Sequence, residues 1–164
     1  QAWQHWRDLG SPRFMMAPMV DQSELAFREL GRKYGCDLCY TPMLHSKMFT
    51  TAANYRKDYF QTAESDRPLV VQFCANNPST LLEAAKYVEN DCDAVDINLG
   101  CPQGIAKKGK YGAFLMEDWD RIHDMVLTLK EELKVPVWAK VRVFPDLART
   151  LEYVKMIEAA GASA

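Results

Sequence analysis

The sequence predicts an α/β protein built on a parallel sheet, and three observations carry that prediction. Short apolar runs alternate with amphipathic helical stretches along the whole chain. Five such units are visible in succession, and alternation of this kind means right-handed βαβ connections and a parallel sheet. The residues with chemical potential fall after several different strands and not at one point.

The elements follow in order. Residues 14–19 form a first short apolar strand, and residues 21–34 a helix with Leu25, Leu30 and Tyr34 near one face and Gly35 as its stop. Residues 38–43 are the second strand and residues 69–74 the third. Asn77-Pro78 then supplies an N-cap with proline at N1 for a helix through Leu81, Leu82, Ala85 and Val88. Residues 94–99 are the fourth strand, ending in the tight corner Gly100-Cys101-Pro102. A helix follows with Trp119, Ile122, Val126, Leu129 and Leu133 at i, i+3, i+4 spacing, and it must end before Pro136. The fifth strand covers residues 137–144; Pro145-Asp146 opens a helix with Leu147, Leu151, Val154 and Ile157 that closes at Gly161.

A closed (β/α)8 TIM barrel takes about 250 residues, so this pattern corresponds to about the first five βα units of one, a TIM barrel truncated before closure. A doubly wound, flavodoxin-like sheet also accommodates five units. The scatter of candidate residues over several strand ends favours the barrel.

At 164 residues and 48% hydrophobic content, the expectation is one core and one domain over residues 1–164. The formal charge of -2 advertises no polyanion partner, so any nucleic-acid contact has to be local. No apolar run approaches a membrane span, and Gln1-Ala2-Trp3-Gln4-His5-Trp6 lacks the features of a signal peptide, which predicts an intracellular chain, cytoplasmic or nuclear, with no membrane partner. An odd count of 5 cysteines argues for reduced thiols. Cys36 and Cys39 have C-x-x-C spacing but no second pair or His pair, so they read as two core thiols and no metal is expected.

Asp96-Ile97-Asn98-Leu99-Gly100-Cys101-Pro102 places one thiol at the mouth of the sheet, where ligand sites of α/β proteins collect. Position points to chemistry; the alternative is an inert, buried small hydrophobe. Residues 103–111 carry Lys107, Lys108 and Lys110 with Gly104 and Gly109, and no acidic residue occurs between Leu99 and Met116. This segment is either a mobile loop that closes on phosphate or a solvated charge run. The stretch 44–67 is long for a βα connection, and His45, Asn54, Tyr55, Arg56 and Lys57 are its candidate contacts. Trp3 and Trp6 read as a packed N-terminal element.

Six motifs in order now carry a family resemblance: residues 14–21 (Phe-Met-Met-Ala-Pro-Met-Val-Asp), Thr41-Pro42-Met43, Val71-Gln72-Phe73, the corner motif 96–102, Tyr111-Gly112-Ala113-Phe114-Leu115 and Ala139-Lys140-Val141-Arg142. Together they resemble the flavin-dependent tRNA dihydrouridine synthases. Pro42 and Arg142-Val143-Phe144-Pro145 resemble the eukaryotic branch that acts on D-loop positions 16 and 17.

The resemblance implies an oxidoreductase that reduces uridine in tRNA to 5,6-dihydrouridine, with FMN as cofactor and NADPH as reductant. In that reaction hydride reaches C6 of uracil while an acid protonates C5. Cys101 matches the family's acid, and a thiol with no activating partner, of pKa about 8.5, keeps its proton at neutral pH. By the same match Pro18, Met19 and Val20 lie against the flavin, Gln72 and Lys140 hydrogen-bond its ring, Asn98 orients the uracil and Arg142 faces the same cavity; Lys107 and Lys108 are candidate phosphate contacts from the residues alone. For Lys140 the alternative is a barrel lysine paired with Asp96; for Gln72, a strand-end amide bonded to a loop. The family continues past Gly161 into a flavin-contacting His-Gly-Arg motif, the FMN-phosphate strands and a helical tRNA-binding domain. The chain therefore corresponds to part of the catalytic barrel, expected to hold FMN weakly by itself and to expose strand edges that favour self-association. Two alternatives accompany this reading: a non-catalytic fragment of such an enzyme, and a flavin barrel of the dihydroorotate dehydrogenase type.

Overall fold

A computed structural model describes residues 2–164. Its elements are α1 (Ala2–Asp8), β1 (Met15–Met16), α2 (Leu25–Lys33), β2 (Leu38–Tyr40), β3 (Leu44–His45), α3 (Ser46–Thr51), α4 (Ala53–Tyr59), β4 (Leu69–Cys74), α5 (Pro78–Lys86), β5 (Ala94–Leu99), α6 (Gly104–Gly109), a 3-10 turn (Gly112–Leu115), α7 (Trp119–Glu132), β6 (Val137–Val141) and α8 (Leu147–Ala160). The strands are all parallel in the order β1-β2-β4-β5-β6, with β3 pairing on the C-terminal end of β4. That order settles the architecture. A doubly wound sheet reverses direction at a switch point, whereas here each strand adds beyond its predecessor, as in the open half of a (β/α)8 barrel.

Period-2 alternation divides the strands between two environments. Val71, Phe73, Val95, Ile97 and Leu99 point outward and are fully buried beneath α5, α7 and α8, against Leu81, Ala85, Ile122, Val126, Leu129 and Tyr153. Leu38, Val70, Ala94 and Trp138 form a smaller inner cluster with Trp6, Leu9 and Tyr40. Here α1 plugs the interior: Trp6 stacks on Trp138 with ring centroids 6.3 Å apart, and His5 meets the same ring edge-on at 5.7 Å. Trp6 is thus part of a packed N-terminal element, while Trp3 is 75% exposed.

The helix stops follow local chemistry. Asn77 Oδ1 accepts the Thr80 amide at 2.9 Å ahead of Pro78, Asp118 and Asp146 cap α7 and α8, and Gly161 ends α8 at φ 116°.

Several expected boundaries are corrected. The first strand is only Met15–Met16, and α2 begins at Leu25, not residue 21, because the Gln22 and Ser23 amides turn back onto the Met19 carbonyl and Asp21 takes φ 56°. The face of α2 read as apolar looks outward, with Tyr34 81% exposed, and the residue it buries is Arg28. The second and fifth strands end at Tyr40 and Val141. The insert 44–67 is ordered as β3, α3 and α4.

Arg28 is buried because its guanidinium is fully engaged. It donates to Asp66 Oδ2 at 2.6 and 2.9 Å, to the Ser23 carbonyl at 2.7 Å and to the Gln61 carbonyl at 2.7 Å; Arg32 takes the other oxygen of Asp66 at 3.1 Å. Charge-assisted pairing of this kind is what allows a buried arginine. The network ties α2 to the start of β4 and holds the turn after β1, where Ser23 Oγ bonds the Met19 amide at 3.0 Å.

Candidate functional site

A cavity of about 360 Å³ opens at the C-terminal ends of β1, β4, β5 and β6. It brings together Pro18, Met19, Val20, Gln72, Asn98, Cys101 and Lys140, with Met43 completing the wall. Pro18 and Lys140 also border an adjoining, mostly apolar cavity of about 390 Å³ that reaches Asp96, Trp138 and Trp6.

Each polar residue sits where the parallel register puts it. Gln72 lies opposite Asp96, and Asn98 opposite Lys140. Gln72 Nε2 donates to Asp96 Oδ2 at 2.7 Å, and Gln72 Oε1 accepts from Asn98 Nδ2 at 2.9 Å. Asn98 Oδ1 then accepts the backbone amides of Gly100 at 3.1 Å and Cys101 at 2.9 Å, an Asx turn that shapes the corner. The alternative of Gln72 as an amide bonded to a loop is thereby corrected: its partners are two side chains inside the sheet.

The corner is held from behind as well. The Ala113 amide donates to the Cys101 carbonyl at 3.0 Å, and Gly112, at φ 64°, packs so closely that a Cβ there would fall 2.6 Å from that oxygen. This is the physical requirement behind Tyr111-Gly112-Ala113, which the sequence presents only as a motif. The Cys101 thiol is partly exposed, and among the described residues it has no hydrogen-bond partner and no histidine beside it.

Asp96 is the buried charge of the site. Complete burial pushes its carboxyl up to about 7, against the opposing pull of the Gln72 bond and the nearby Lys140. Its Oδ1 has no hydrogen-bond partner among the described residues. Lys140 is exposed and makes no ion pair with Asp96, so the paired-lysine alternative does not describe this structure.

Other candidates lie elsewhere. Arg142 is exposed, and its Nε donates at 3.1 Å to the carbonyl of Gly100, which lines the cavity, without being part of the lining itself. Lys107 and Lys108 are exposed on α6, a short helix, where the sequence left a mobile loop or a solvated charge run open; the Asn76 side-chain amide bonds the Gly109 carbonyl at 2.7 Å and Lys110 ends the turn at φ 52°. They do not line the cavity. His45 meets Tyr111 edge-on at 5.5 Å, burial lowering its pKa, and its amide donates to the Tyr55 hydroxyl at 3.0 Å. Arg56 bonds the Phe49 carbonyl and covers the Tyr87 ring at 4.3 Å, a packing role; Asn54 and Lys57 are exposed. The Cys36 and Cys39 sulfurs are 3.7 Å apart, Cys39 buried and Cys36 half-buried.

No cluster of three or more metal-ligating side chains occurs among the described residues, and no described helix is long and apolar enough to cross a membrane. A flat heteroaromatic ring with one hydrogen-bonding edge fits the donor set present. Pro18, Met19, Val20 and Met43 offer an apolar wall, while Gln72, Asn98 and the unpaired Lys140 offer a polar one.

The family pattern described as Dihydrouridine synthase (Dus) matches residues 15–164. Over 157 residues the chain is 60% identical to the protein of Saccharomyces cerevisiae named tRNA-dihydrouridine(16/17) synthase, of the NAD(P)(+) type, covering 94% of this chain and 37% of that one. It is 54% identical to a like-named protein of Schizosaccharomyces pombe, over 97% of this chain and 41% of the relative, and 54% identical to the "-like" counterpart of Rattus norvegicus, over 98% and 37%. The chain thus spans about two fifths of the length of these relatives. With a match that takes in every strand of the half-barrel and the whole Cys101 corner, the chain belongs to the dihydrouridine synthase family.

Proposed function

We propose that this chain carries the flavin-facing half of a tRNA dihydrouridine synthase, in which a uridine of the tRNA D-loop is reduced across its 5,6 double bond with FMN as cofactor and NADPH as reductant. One observation carries the reading. A partly exposed thiol without a neighbouring base is fixed on a rigid corner at the rim of a cavity whose lining also includes Lys140 and the chain at Pro18–Val20. The family match and the relatives named as 16/17 synthases support it.

FMN, when bound and reduced, supplies the hydride that uracil C6 accepts. The chain's part is the proton. Cys101 holds it on Sγ and gives it to C5, and the resulting thiolate regains a proton from solvent, to which the side chain is open. Pro18, Met19 and Val20 would lie against the ring. Lys140, free of any acidic partner, would hold its hydrogen-bonding edge and place positive charge there. Gln72 has one N–H left for the ring after binding Asp96, and Asn98 one N–H left for the uracil after binding Gln72. Lys107, Lys108 and Arg142, outside the cavity and exposed, suit tRNA phosphates.

Exposed apolar side chains near β1, Phe14 and Phe27, and after β6, Val143, Leu147 and Leu151, support self-association of the chain by itself.

Unmodified tRNA incubated with the chain, FMN and NADPH, then digested and analysed by mass spectrometry, tests the reading. Dihydrouridine should form, and Cys101→Ala should lower the rate by about 10²-fold or more. Undiminished product from that variant rules out the thiol as the acid. No flavin absorbance on the chain after FMN addition sets independent catalysis aside in favour of a non-catalytic segment. Turnover of free dihydroorotate in place of tRNA points to the other flavin barrel.

A further inference from the structure

We infer that Asp96 is a positioning residue for Cys101, acting through a one-way relay of hydrogen bonds that runs Asp96, Gln72, Asn98, Cys101. Its importance for catalysis rests on the reading of Cys101 as the proton donor; the relay itself stands on the geometry.

The argument begins with direction. A side-chain amide can be turned end for end at little steric cost, so two amides in series, Gln72 and Asn98, have no intrinsic orientation. Both ends of this relay impose one. At the corner, the Gly100 and Cys101 amides are donors and need an oxygen, so Asn98 must present Oδ1 to them, at 3.1 and 2.9 Å. Asn98 Nδ2 then faces Gln72 and needs an acceptor, which Gln72 Oε1 provides at 2.9 Å. Gln72 Nε2 is left pointing inward and needs an acceptor in turn; the Asp96 carboxylate takes it at 2.7 Å. Above a pH of about 7 the carboxyl is ionised and only accepts, so there it locks the direction from the far end. Asp96 and Gln72 are buried to 1% and 0% exposure.

This explains a costly feature. A carboxyl buried with its Oδ1 unpartnered is unfavourable, and nothing in the outer packing requires it. As the acceptor-only end of the relay it keeps Asn98 from turning its NH2 toward the corner, which would set donor against donor and loosen the turn that aims the thiol.

The relay predicts a specific rescue. In Asn98→Asp the new carboxylate still serves the corner amides but faces Gln72 Oε1; if Gln72 turns over, its oxygen faces Asp96 instead. With Asp96 ionised, above a pH of about 7, one repulsive contact remains either way. Adding Asp96→Asn removes it, because the asparagine donates to Gln72 Oε1, Gln72 Nε2 donates to the carboxylate at position 98, and that carboxylate accepts from Cys101. The direction reverses and every bond is kept.

Amide hydrogen exchange of the chain at a pH of about 8, where Asp96 is ionised, without flavin or RNA, reads this out. Asn98→Asp should speed exchange at Gly100 and Cys101 by about tenfold or more, with Val71, Val95 and Ile97 little changed, and the double variant D96N/N98D should return it to within about threefold of the parent. A double variant no better protected than N98D, exchange rising equally along β4 and β5, or a double variant that unfolds where N98D does, overturns the relay. If N98D unfolds and the double variant folds, the rescue is read in the melting itself. In the unaltered chain, the Asn98 carboxamide protons should show nuclear Overhauser contacts to the Gln72 side chain; strong contacts to the Cys101 amide proton overturn the assigned direction. None of these readouts depends on catalysis, so failure of the proposed activity and failure of the relay are told apart.

Discussion

Two faces of the same strands do different work. On β4, Val71 and Phe73 turn outward into a helix-covered layer, while Gln72 between them turns inward; on β5, Val95, Ile97 and Leu99 turn outward while Asp96 and Asn98 turn inward. The outer face is apolar, fully buried and made of ordinary core contacts. The inner face carries an unpartnered carboxylate oxygen, an unpaired lysine and a thiol with no hydrogen bond. Stability is concentrated on one side of the sheet and chemistry on the other, so the site residues ride on a rigid support while their own polar demands are met only in part. Substitutions on the two faces should therefore differ in kind as well as in size.

The largest effect belongs to the outer face. Phe73 is fully buried and meets Phe49 edge-on at 5.2 Å. Phe73→Ala should cost about 3–5 kcal/mol in urea unfolding. A loss below about 1 kcal/mol would show that the outer layer is not the main support.

On the inner face, Asp96 should act against stability as pH rises. Its folded pKa of about 7 lies above the ordinary 3.8, so the unfolded chain gives up this proton first. The contribution is most favourable below pH 3.8, weakens as pH rises to about 7, and is level above that. The slope is at most about 1.4 kcal/mol per pH unit. Unfolding free energies of the parent minus those of Asp96→Asn, measured from pH 4 to 8, should show that fall; a difference flat in pH would mean the carboxyl is ionised throughout.

Between the faces lies the corner. Gly112→Ala adds a Cβ 2.6 Å from the Cys101 carbonyl at a positive φ, which should cost about 1–3 kcal/mol. The change should appear first as faster exchange at Cys101 and only then in the melting; uniform exchange would mean Gly112 supports the core and not the corner.

How much of this was legible in the sequence follows from the range of each interaction. β4, β5, the Asn77-Pro78 helix start and the Gly161 stop are written in neighbouring residues, and they fall where local chemistry puts them. The buried side of α2 is not, because Arg28 is satisfied by Asp66, 38 positions on, and no periodicity in the helix reports a partner at that distance. α6 read as a loop because a glycine stands at each end of it. In the site, Cys101 and Asn98 were legible as near neighbours. Asp96 appeared only as a possible mate for Lys140; its bond to Gln72 requires the β4–β5 register, which no local motif encodes. The sole local signal was its place two residues before Asn98, on the same face of a strand otherwise apolar.

The smallest effect on stability tests where the comparison ends, at the border of the sheet. Leu147 and Leu151 lie on α8 with 70% and 49% of their surface exposed, beside Val143 at 68%. They are apolar like the outer layer but gain less from burial, since much of their surface is left exposed among the described residues. Leu147→Lys together with Leu151→Lys should therefore change unfolding free energy by no more than about 0.5 kcal/mol per site. The same pair should shift sedimentation toward monomer, because removing apolar area from a free border weakens association in proportion to the area lost. A large loss of stability would mean that these residues belong to the outer core, and that the division between a buried, supporting face and an open, reactive one does not extend to the edge of the sheet.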